Sequence, residues 1–374
     1  LWFITEYLDM KEDLYITLWR VLNNRKEGTV SIEECKKFMT ELNTNNVHFS
    51  TEETRKHIAG ILSPKALEIF SLYLCQRLMF DRAAYGKEKP ELKVAKDLIR
   101  DIRDNKYGVK ETVANWCLLC SVAGGMEDLH ENKFPEKAAK ETIDYIKEAF
   151  EIRNFLISKK EHGAFFESEM YCKHLNNVGY TLLQIERSDS NQEKGKYLGL
   201  IQDIYDELVP FLRKTSNRAW QALVISNLGA VAGRRGDYVL AVRYDLKALA
   251  LKNSLISSEE NRKNSVSRDL KLTTLKSHLN IAYNAAKAIN QLKNLYSNQE
   301  DAIAEYCRLI EIHATEVVLL RKQLDKDVLH DGKIPEGFPG KDYCTKAFEK
   351  AISHLDDAYV YTQNVLEKMK EELK

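Results

Sequence analysis

Apolar positions recur at helical spacing along most of this chain. In residues 222–255, ALVISNLGAVAGRRGDYVLAVRYDLKALALKNSL, the spacing predicts two helices that are joined by a turn at Gly236. The small residues Gly229, Ala241 and Ala248 fall where the two helices must approach each other. One helix pair cannot bury its own apolar face, so the pattern predicts stacked neighbouring pairs.

Further helices are predicted on both sides of this pair. Residues 1–86 read as short amphipathic helices, and Ser-x-x-Glu capping boxes at 31–34 and 50–53 mark two helix starts. The helices predicted beyond residue 91 are longer. They cover 108–123 (ending at Gly124 and Gly125), a segment opened by Pro135, 165–185, 272–289, 300–324, and 345–373 as one closing helix.

Composition supports an all-α fold. The chain has 374 residues, is 44% hydrophobic, and contains 6 prolines and 16 glycines, none of them between Gly236 and Gly332. No uncharged run is long enough for a membrane span. We expect three regions: a small helical region at 1–90, stacked repeats at 91–329, and a loop with a capping helix at 330–374.

The helix pair at 222–255 resembles the tetratricopeptide repeat (TPR). A first-helix asparagine recurs in Asn177-Val178-Gly179-Tyr180, Asn227-Leu228-Gly229-Ala230 and Asn280-Ile281-Ala282-Tyr283. The intervals are 50 and 53 residues, longer than the standard length of about 34. The resemblance covers about 110–326 and implies a TPR-like helical-repeat solenoid, a right-handed superhelix of antiparallel helix pairs.

The resemblance also implies ligand-binding residues. In TPR-like proteins that hold extended peptides, the first-helix asparagine contacts the peptide backbone, because its amide both donates and accepts hydrogen bonds. The matching residues here are Asn177, Asn227 and Asn280, with Tyr180 and Tyr283 beside two of them. The competing interpretation is that these asparagines bond neighbouring helices and stabilise the stack.

Charge narrows the class of ligand. The formal net charge is zero, which argues against a general nucleic-acid binder. Residues 213–293, however, contain 15 Lys and Arg against five acidic residues. Arg234 and Lys287 are the strongest candidates for a basic wall that accepts an acidic peptide, a free carboxylate or a phosphate. A solvated convex face is the alternative for most of the other cations.

Two motifs have the spacing of metal sites, but their residues do not support metal binding. Residues 23–34 imitate an EF-hand loop, but Arg25 occupies a position that needs an oxygen ligand. Cys117 and Cys120 have metal-site spacing, but without a second pair nearby they are better explained as core residues. Phosphate-binding, metalloprotease and nucleophile-elbow motifs are all missing. We therefore expect no catalytic residue, no metal and no cofactor.

The sequence thus predicts a cytoplasmic, non-catalytic module that binds a protein or peptide in a concave groove. A sensor module of a larger multidomain signalling protein is the first alternative, because the opening LWFITEYLDM has no initiator Met and suggests a fragment. An enzyme on a helical-repeat scaffold is the second. The sequence leaves open whether the chain forms a homo-oligomer or a larger assembly.

Overall fold

The structure is a computed structural model of the chain. It describes residues 71–72, 74–75, 78, 90–104, 110–130, 134–160, 163–188, 195–262, 266–295, 299–331 and 341–373. All regular secondary structure in these residues is helical. The chain divides into two compact units, Leu1–Tyr197 and Leu198–Lys374. The EF-hand-like segment and both capping boxes lie outside the described residues.

The described helices of the first unit beyond residue 90 are α1 (Pro90–Arg103), α2 (Val113–His130), α3 (Glu136–Lys159), α4 (Gly163–Phe166) and α5 (Glu169–Arg187). Helix α2 packs against α1, α3 and α5, because its sequence VANWCLLCSVAGGM is apolar on every side. Ser168 begins α5, where its hydroxyl accepts a hydrogen bond from the Tyr171 backbone N–H.

Helix α2 does not end at Gly124 and Gly125, as the sequence predicted, but continues to His130. Tertiary packing explains the difference. A Cβ on Gly125 would lie 3.0 Å from Leu92 Cδ1 of α1. The glycine therefore lets α1 and α2 approach each other closely, and α2 continues through it. Close packing outweighs the cost of glycine inside a helix.

Aromatic side chains fill the core between α2 and α5. Trp116 is 1% exposed, and its ring lies 5.1 Å from Tyr171, 5.6 Å from Phe165 and 5.6 Å from His174. Cys117 is buried in the same core, and burial raises its pKa well above the ordinary value. Cys117 and Cys120 are 0% and 1% exposed, so the interpretation of both as core residues is confirmed.

The second unit contains the predicted helix pair. Its described helices are α6 (Leu198–Leu212), α7 (Arg218–Arg234), α8 (Tyr238–Asn261), α9 (Arg268–Leu295), α10 (Glu300–Asp331), α11 (Lys341–Ile352) and α12 (Val360–Leu373). Helices α7 and α8 pack along each other, and Gly236 between them has φ +82, which is favourable for glycine. The Asp237 side chain begins α8 by accepting from the Leu240 N–H at 3.0 Å.

Helices of the second unit pack in succession. Each of α6 to α9 contacts the next helix along the chain, and α11 and α12 then cover α9 and α10. The prediction of an all-α helical-repeat fold is confirmed in the described residues. Within the same residues, none of the helices has the length and apolar character that a membrane crossing requires.

The predicted closing helix is in fact two helices. The chain turns at 353–356 and forms a 3-10 turn at Asp357–Tyr359 before α12 begins. Polar contacts stabilise the break, because the Gln363 side chain donates to the Leu355 carbonyl and Asn290 of α9 donates to the His354 carbonyl. Periodicity alone does not reveal a break that depends on another helix.

The close approach of α7 and α8 at Gly229 can be tested. A Cβ there would lie 2.9 Å from Asp245 Oδ1 and 3.4 Å from the Ala241 carbonyl, while Asn284 fixes Asp245 through a bond of 2.9 Å. Gly229→Ala should lower the free energy of unfolding by about 1–3 kcal/mol in urea titrations. Gly199→Ala is the control, because open space surrounds it in α6, and it should raise stability by about 0.5 kcal/mol. Equal stability of the two variants would contradict the steric argument.

Candidate binding face on helix α9

One side of α9 stays open to solvent in the second unit. Its residues follow spacings of three and four, as one helix face requires, and they range from half-buried to exposed. Three residues that the sequence proposed for binding lie on this side. We call it the α9 face and define it as Thr273, Lys276, Asn280, Tyr283 and Lys287.

Lys287 is held between two tyrosine rings. Its Nζ lies 4.8 Å from the ring centre of Tyr283 and 4.8 Å from that of Tyr238, and it donates to the Tyr238 hydroxyl at 3.3 Å. Partial burial acts to lower the pKa of Lys287, but the interactions with both tyrosines outweigh it and raise the pKa. The cation is therefore charged and pre-positioned at neutral pH.

Two neighbouring elements fix this arrangement. The Gln291 side chain of α9 accepts from the Tyr238 backbone N–H at 3.0 Å, which anchors the start of α8. His354, from the turn before α12, packs its ring 5.7 Å from Tyr283. Burial, together with Lys287, lowers the pKa of His354, so this ring is neutral at neutral pH and adds no charge to the face.

Asn280 places its side-chain amide on the α9 face. It is half-buried, one turn before Tyr283 on the same face. Its side chain makes no hydrogen bond within the part of the chain that the structure describes. Such an amide can bond both the N–H and the carbonyl of an extended peptide, which is the role that the sequence proposed for it.

Helix α7 lies beside α9 and runs in the same direction. Ser226 of α7 and Ser277 of α9 both accept hydrogen bonds from the Lys252 ammonium. Two turns further along, a Cβ on Gly233 of α7 would lie 3.4 Å from Asn284 Oδ1 of α9. Because both contacts have the same order along the two helices, α7 and α9 are parallel neighbours.

The register of these two helices explains the position of Asn227. The open sides of α7 and α9 match at a separation of 50 residues, so Ala230 corresponds to Asn280. Asn227 is displaced by three residues from that position and is only 6% exposed. The open side of α7 comprises Leu223, Ser226, Ala230 and Gly233.

Arg234 is the last residue of α7 and is exposed. It directly follows Gly233, and Gly233 lies beside α9. Arg234 is therefore at an end of α7 that is close to α9. Leu223 lies near the other end of α7, where 43% of its surface is exposed. The open side of α7 thus places a cation and an apolar side chain beside the α9 face.

Asn177 and Tyr180 belong to the first unit. Both lie on α5 and line a small cleft against α2. Asn177 and Tyr180 are half-buried there, and Asn177 makes no side-chain hydrogen bond within the described residues. The structure therefore describes the predicted site residues in two settings, a cleft in the first unit and the α9 face in the second.

Sequence reasoning missed a buried polar seam beneath the α9 face. Lys252 is 7% exposed, and its ammonium donates to Ser226 Oγ at 3.3 Å, Ser277 Oγ at 2.8 Å and the Thr273 carbonyl at 2.9 Å. Burial lowers the pKa of Lys252 to about 8, and the nearby Asp245 only partly opposes this effect. The apolar spacing around Lys252 was the available signal, since it places the lysine on the buried side of α8.

A histidine pair continues the seam into α10. His278 Nδ1 lies 2.8 Å from His313 Nδ1, and each residue is 6% exposed. Burial lowers the pKa of both to about 4, and for His278 the neighbouring His313 and Lys252 add to the effect. Both rings are neutral at pH 7, so one Nδ1 donates and the other accepts.

The seam is held together by hydrogen bonds between helices. In the described residues, groups of three or more His, Cys, Asp or Glu side chains that could hold a metal ion do not occur. The hydrogen bonds of Lys252 also all run to oxygen atoms of neighbouring helices. The seam joins α7, α8, α9 and α10, which gives it a positioning role under the α9 face.

The class that fold and site define is an all-α helical-repeat protein with an open, basic and aromatic helix face. No protein-family model matches the chain, and the search of curated proteins finds no match. The residues and their geometry are therefore the basis for inferring its function.

Proposed function

We propose that the chain is a non-catalytic, TPR-like module whose α9 face binds an acidic peptide segment of a partner protein. The observation that carries this proposal is the position of Lys287 between two tyrosine rings, on the same open face as the Asn280 amide, which makes no hydrogen bond within the described residues. The cation would attract a carboxylate, and the amide would bond the peptide backbone.

Aromatic side chains support a protein ligand. Tyrosine gives large contact area at low entropic cost and is enriched at the centre of protein interfaces. Tyr238 and Tyr283 are half-buried, and their positions are fixed by Lys287, Gln291 and His354. Leu223 on the neighbouring α7 offers an exposed apolar contact for an anchor residue of the peptide.

The charge of the second unit supports an acidic ligand. Several of its exposed basic residues have no carboxylate partner among the described residues, so their field is not neutralised locally. Such a field speeds the association of acidic ligands and weakens as salt is added. These residues are Arg213, Lys214, Arg218, Arg235, Arg243, Lys247 and Arg262.

Charge reversal at Lys287 tests the proposal. The probe is a fluorescein-labelled ten-residue peptide of Asp, Glu and Leu, compared by anisotropy with a matched peptide of Asn, Gln and Leu. We expect Lys287→Glu to weaken binding of the acidic peptide by about tenfold or more at low ionic strength, with a smaller loss at high salt. The Asn and Gln peptide should bind weakly to both proteins.

Arg262→Glu is the matched control. It makes the same charge change, but Arg262 follows the far end of α8, about 36 Å along the helix from Tyr238. The proposal fails if Arg262→Glu and Lys287→Glu weaken binding equally, because the effect would then come from general charge. Tighter binding of a single-stranded oligo-dT of the same length would assign the face to nucleic acid instead.

Asn280→Ala tests the backbone contact separately. Loss of a single hydrogen-bonding amide should weaken peptide binding about three- to tenfold, with the melting temperature unchanged because Asn280 has no partner in the described residues. Asn227→Ala should show the reverse, a lower melting temperature and little change in affinity, since Asn227 is buried. Equal behaviour of the two variants would contradict the assignment of the open face.

A further inference from the structure

Hydrogen-bond donors from three elements surround the Lys287 ammonium on the α9 face. Tyr238 begins α8, Tyr283 lies one turn before Lys287 on α9, and His354 lies in the turn before α12. Both tyrosine ring centres lie 4.8 Å from the ammonium, and the His354 ring lies 5.7 Å from Tyr283. We call these four residues the donor cluster. All four are half-buried, so the cluster is held in place by its neighbours and is still reached from solvent.

The donor cluster offers several donors to one incoming group. The ammonium carries three N–H groups, and one of them is directed at the Tyr238 hydroxyl at 3.3 Å. A hydroxyl that accepts from an ammonium still has its own proton to donate. Among the described residues, none accepts the proton of the Tyr238 or the Tyr283 hydroxyl. The neutral imidazole of His354 adds one N–H.

The carboxylates closest in sequence to the donor cluster are engaged elsewhere. Asp237, directly before Tyr238, caps the start of α8 through its side chain. Asp356, two residues after His354, pairs with Lys293 at 2.6 Å. Within the described part of the chain, the ammonium of the donor cluster has no carboxylate partner. The donor cluster is therefore positively charged and is suited to an anion.

We propose that the donor cluster binds the phosphate of a phosphorylated serine or threonine in the partner peptide. This inference rests on the proposed function, because it names the acidic group that the α9 face recognises. A phosphate monoester has three terminal oxygens and a charge of about −1.5 to −2 at neutral pH, whereas a carboxylate has two oxygens and a single charge. Donors that approach one cation from three elements match the tetrahedral phosphate better than the planar carboxylate. Phosphorylation of the partner thus switches binding on.

Anisotropy titrations of the full chain with three labelled peptides test this proposal. The peptides are ten residues of Gly, Asn and Leu that carry phosphoserine, glutamate or serine at one central position. At neutral pH and low ionic strength, we expect the phosphoserine peptide to bind about tenfold or more tightly than the glutamate peptide, because it adds charge and acceptors. Equal affinity of these two peptides would overturn the phosphate assignment.

Two variants that each remove one hydroxyl identify the donors. Tyr238→Phe and Tyr283→Phe keep both rings and the Lys287 cation, so each should reduce the preference for phosphoserine over glutamate by about three- to tenfold. This ratio separates the loss of a donor from general distortion, which would weaken both peptides alike. Tyr244→Phe is the matched control, because Tyr244 lies about 120° around α8 from Tyr238, and it should leave the ratio unchanged. An unchanged ratio in both Tyr238→Phe and Tyr283→Phe contradicts the proposal.

A free phosphate or a lipid headgroup could present the same oxygens. Inorganic phosphate is therefore titrated as a competitor of the phosphoserine peptide, and vesicles that contain phosphatidic acid are tested by sedimentation. If inorganic phosphate binds as tightly as the peptide, or if the vesicles bind more tightly, the assignment to a partner peptide is wrong.

The outcomes also separate this inference from the proposed function. If the peptide of Asp, Glu and Leu binds through Lys287 but phosphoserine gives no gain over glutamate, only the phosphate assignment fails. If neither the peptide of Asp, Glu and Leu nor the phosphoserine peptide binds more tightly than the serine peptide, both proposals fail.

Discussion

Acidification from pH 7 to pH 5 should cost the second unit about 2–4 kcal/mol of unfolding free energy through the histidine pair. The folded pKa of both His278 and His313 is about 4, below the ordinary value of 6.5. The unfolded chain therefore binds more protons between these values. The stability that the pair contributes is complete above pH 6.5 and is lost as pH falls towards 4. Urea titrations at several pH values would measure the loss.

A double variant separates this effect from general acid denaturation. His278→Asn with His313→Asn keeps a hydrogen bond possible where the two Nδ1 atoms meet, but it removes the titrating groups. The pH dependence between 7 and 5 should become shallower by most of the predicted loss. Burial also lowers the pKa of His174 to about 3, so some slope should survive in the double variant and become smaller when His174→Asn is added. An unchanged slope in the double variant would contradict the assignment to the pair.

Replacement of the buried lysine should stabilise the chain. Lys252→Met preserves the length of the side chain and removes a charge that burial disfavours, as the lowered pKa of about 8 shows. Replacing buried charges with apolar groups of similar volume is often stabilising. The hydroxyls of Ser226 and Ser277 can then bond to carbonyls of their own helices. We expect a gain of about 1–3 kcal/mol at pH 7 in chemical denaturation.

The pH dependence of this gain is the decisive observation. The folded pKa of Lys252 lies below its unfolded value of 10.5, so the unfolded chain binds more protons between pH 8 and 10.5. The wild-type chain gains stability over that range, and the advantage of Lys252→Met should shrink accordingly. Lys247→Met, on the exposed side of α8, should change stability by less than about 0.5 kcal/mol at any of these pH values. A destabilised Lys252→Met would show that the three hydrogen bonds outweigh the cost of the buried charge.

Helical periodicity was sufficient to predict the all-α fold and the pair α7 and α8. Gly236 supplied the turn and Asp237 the cap, and both are local signals. Helix ends that depend on a distant partner were not accessible from the sequence. Gly125 continues a helix because of Leu92 on α1, and the break before α12 depends on Asn290 of α9. Both differences arise from contacts between residues far apart in sequence.

Some of the predicted site residues share one helix face, and others do not. Asn280, Tyr283 and Lys287 lie on one open face, and Lys287 contacts Tyr283. Asn227 was grouped with Asn280 because both precede a small residue two positions later, but a displacement of three residues moves a side chain by about 300° around a helix. The sequence does not show how α7 and α9 lie against each other. It therefore could not show whether residues that match in motif also lie on the same helix face.

The polar seam has a consequence for how this array could be lengthened or recombined. Repeats that meet only through apolar surfaces are nearly interchangeable, so a duplicated copy can be inserted between its neighbours. Here Lys252 needs oxygen acceptors on both adjoining helices, and Asp245 needs Asn284. In a duplicate of α7 and α8, one copy of Asp245 would face a second α7 instead of α9. Gly233 would then stand in place of Asn284, and a buried carboxylate would lose its amide partner. The seam therefore fixes the order of these helices and makes the unit resistant to modular exchange.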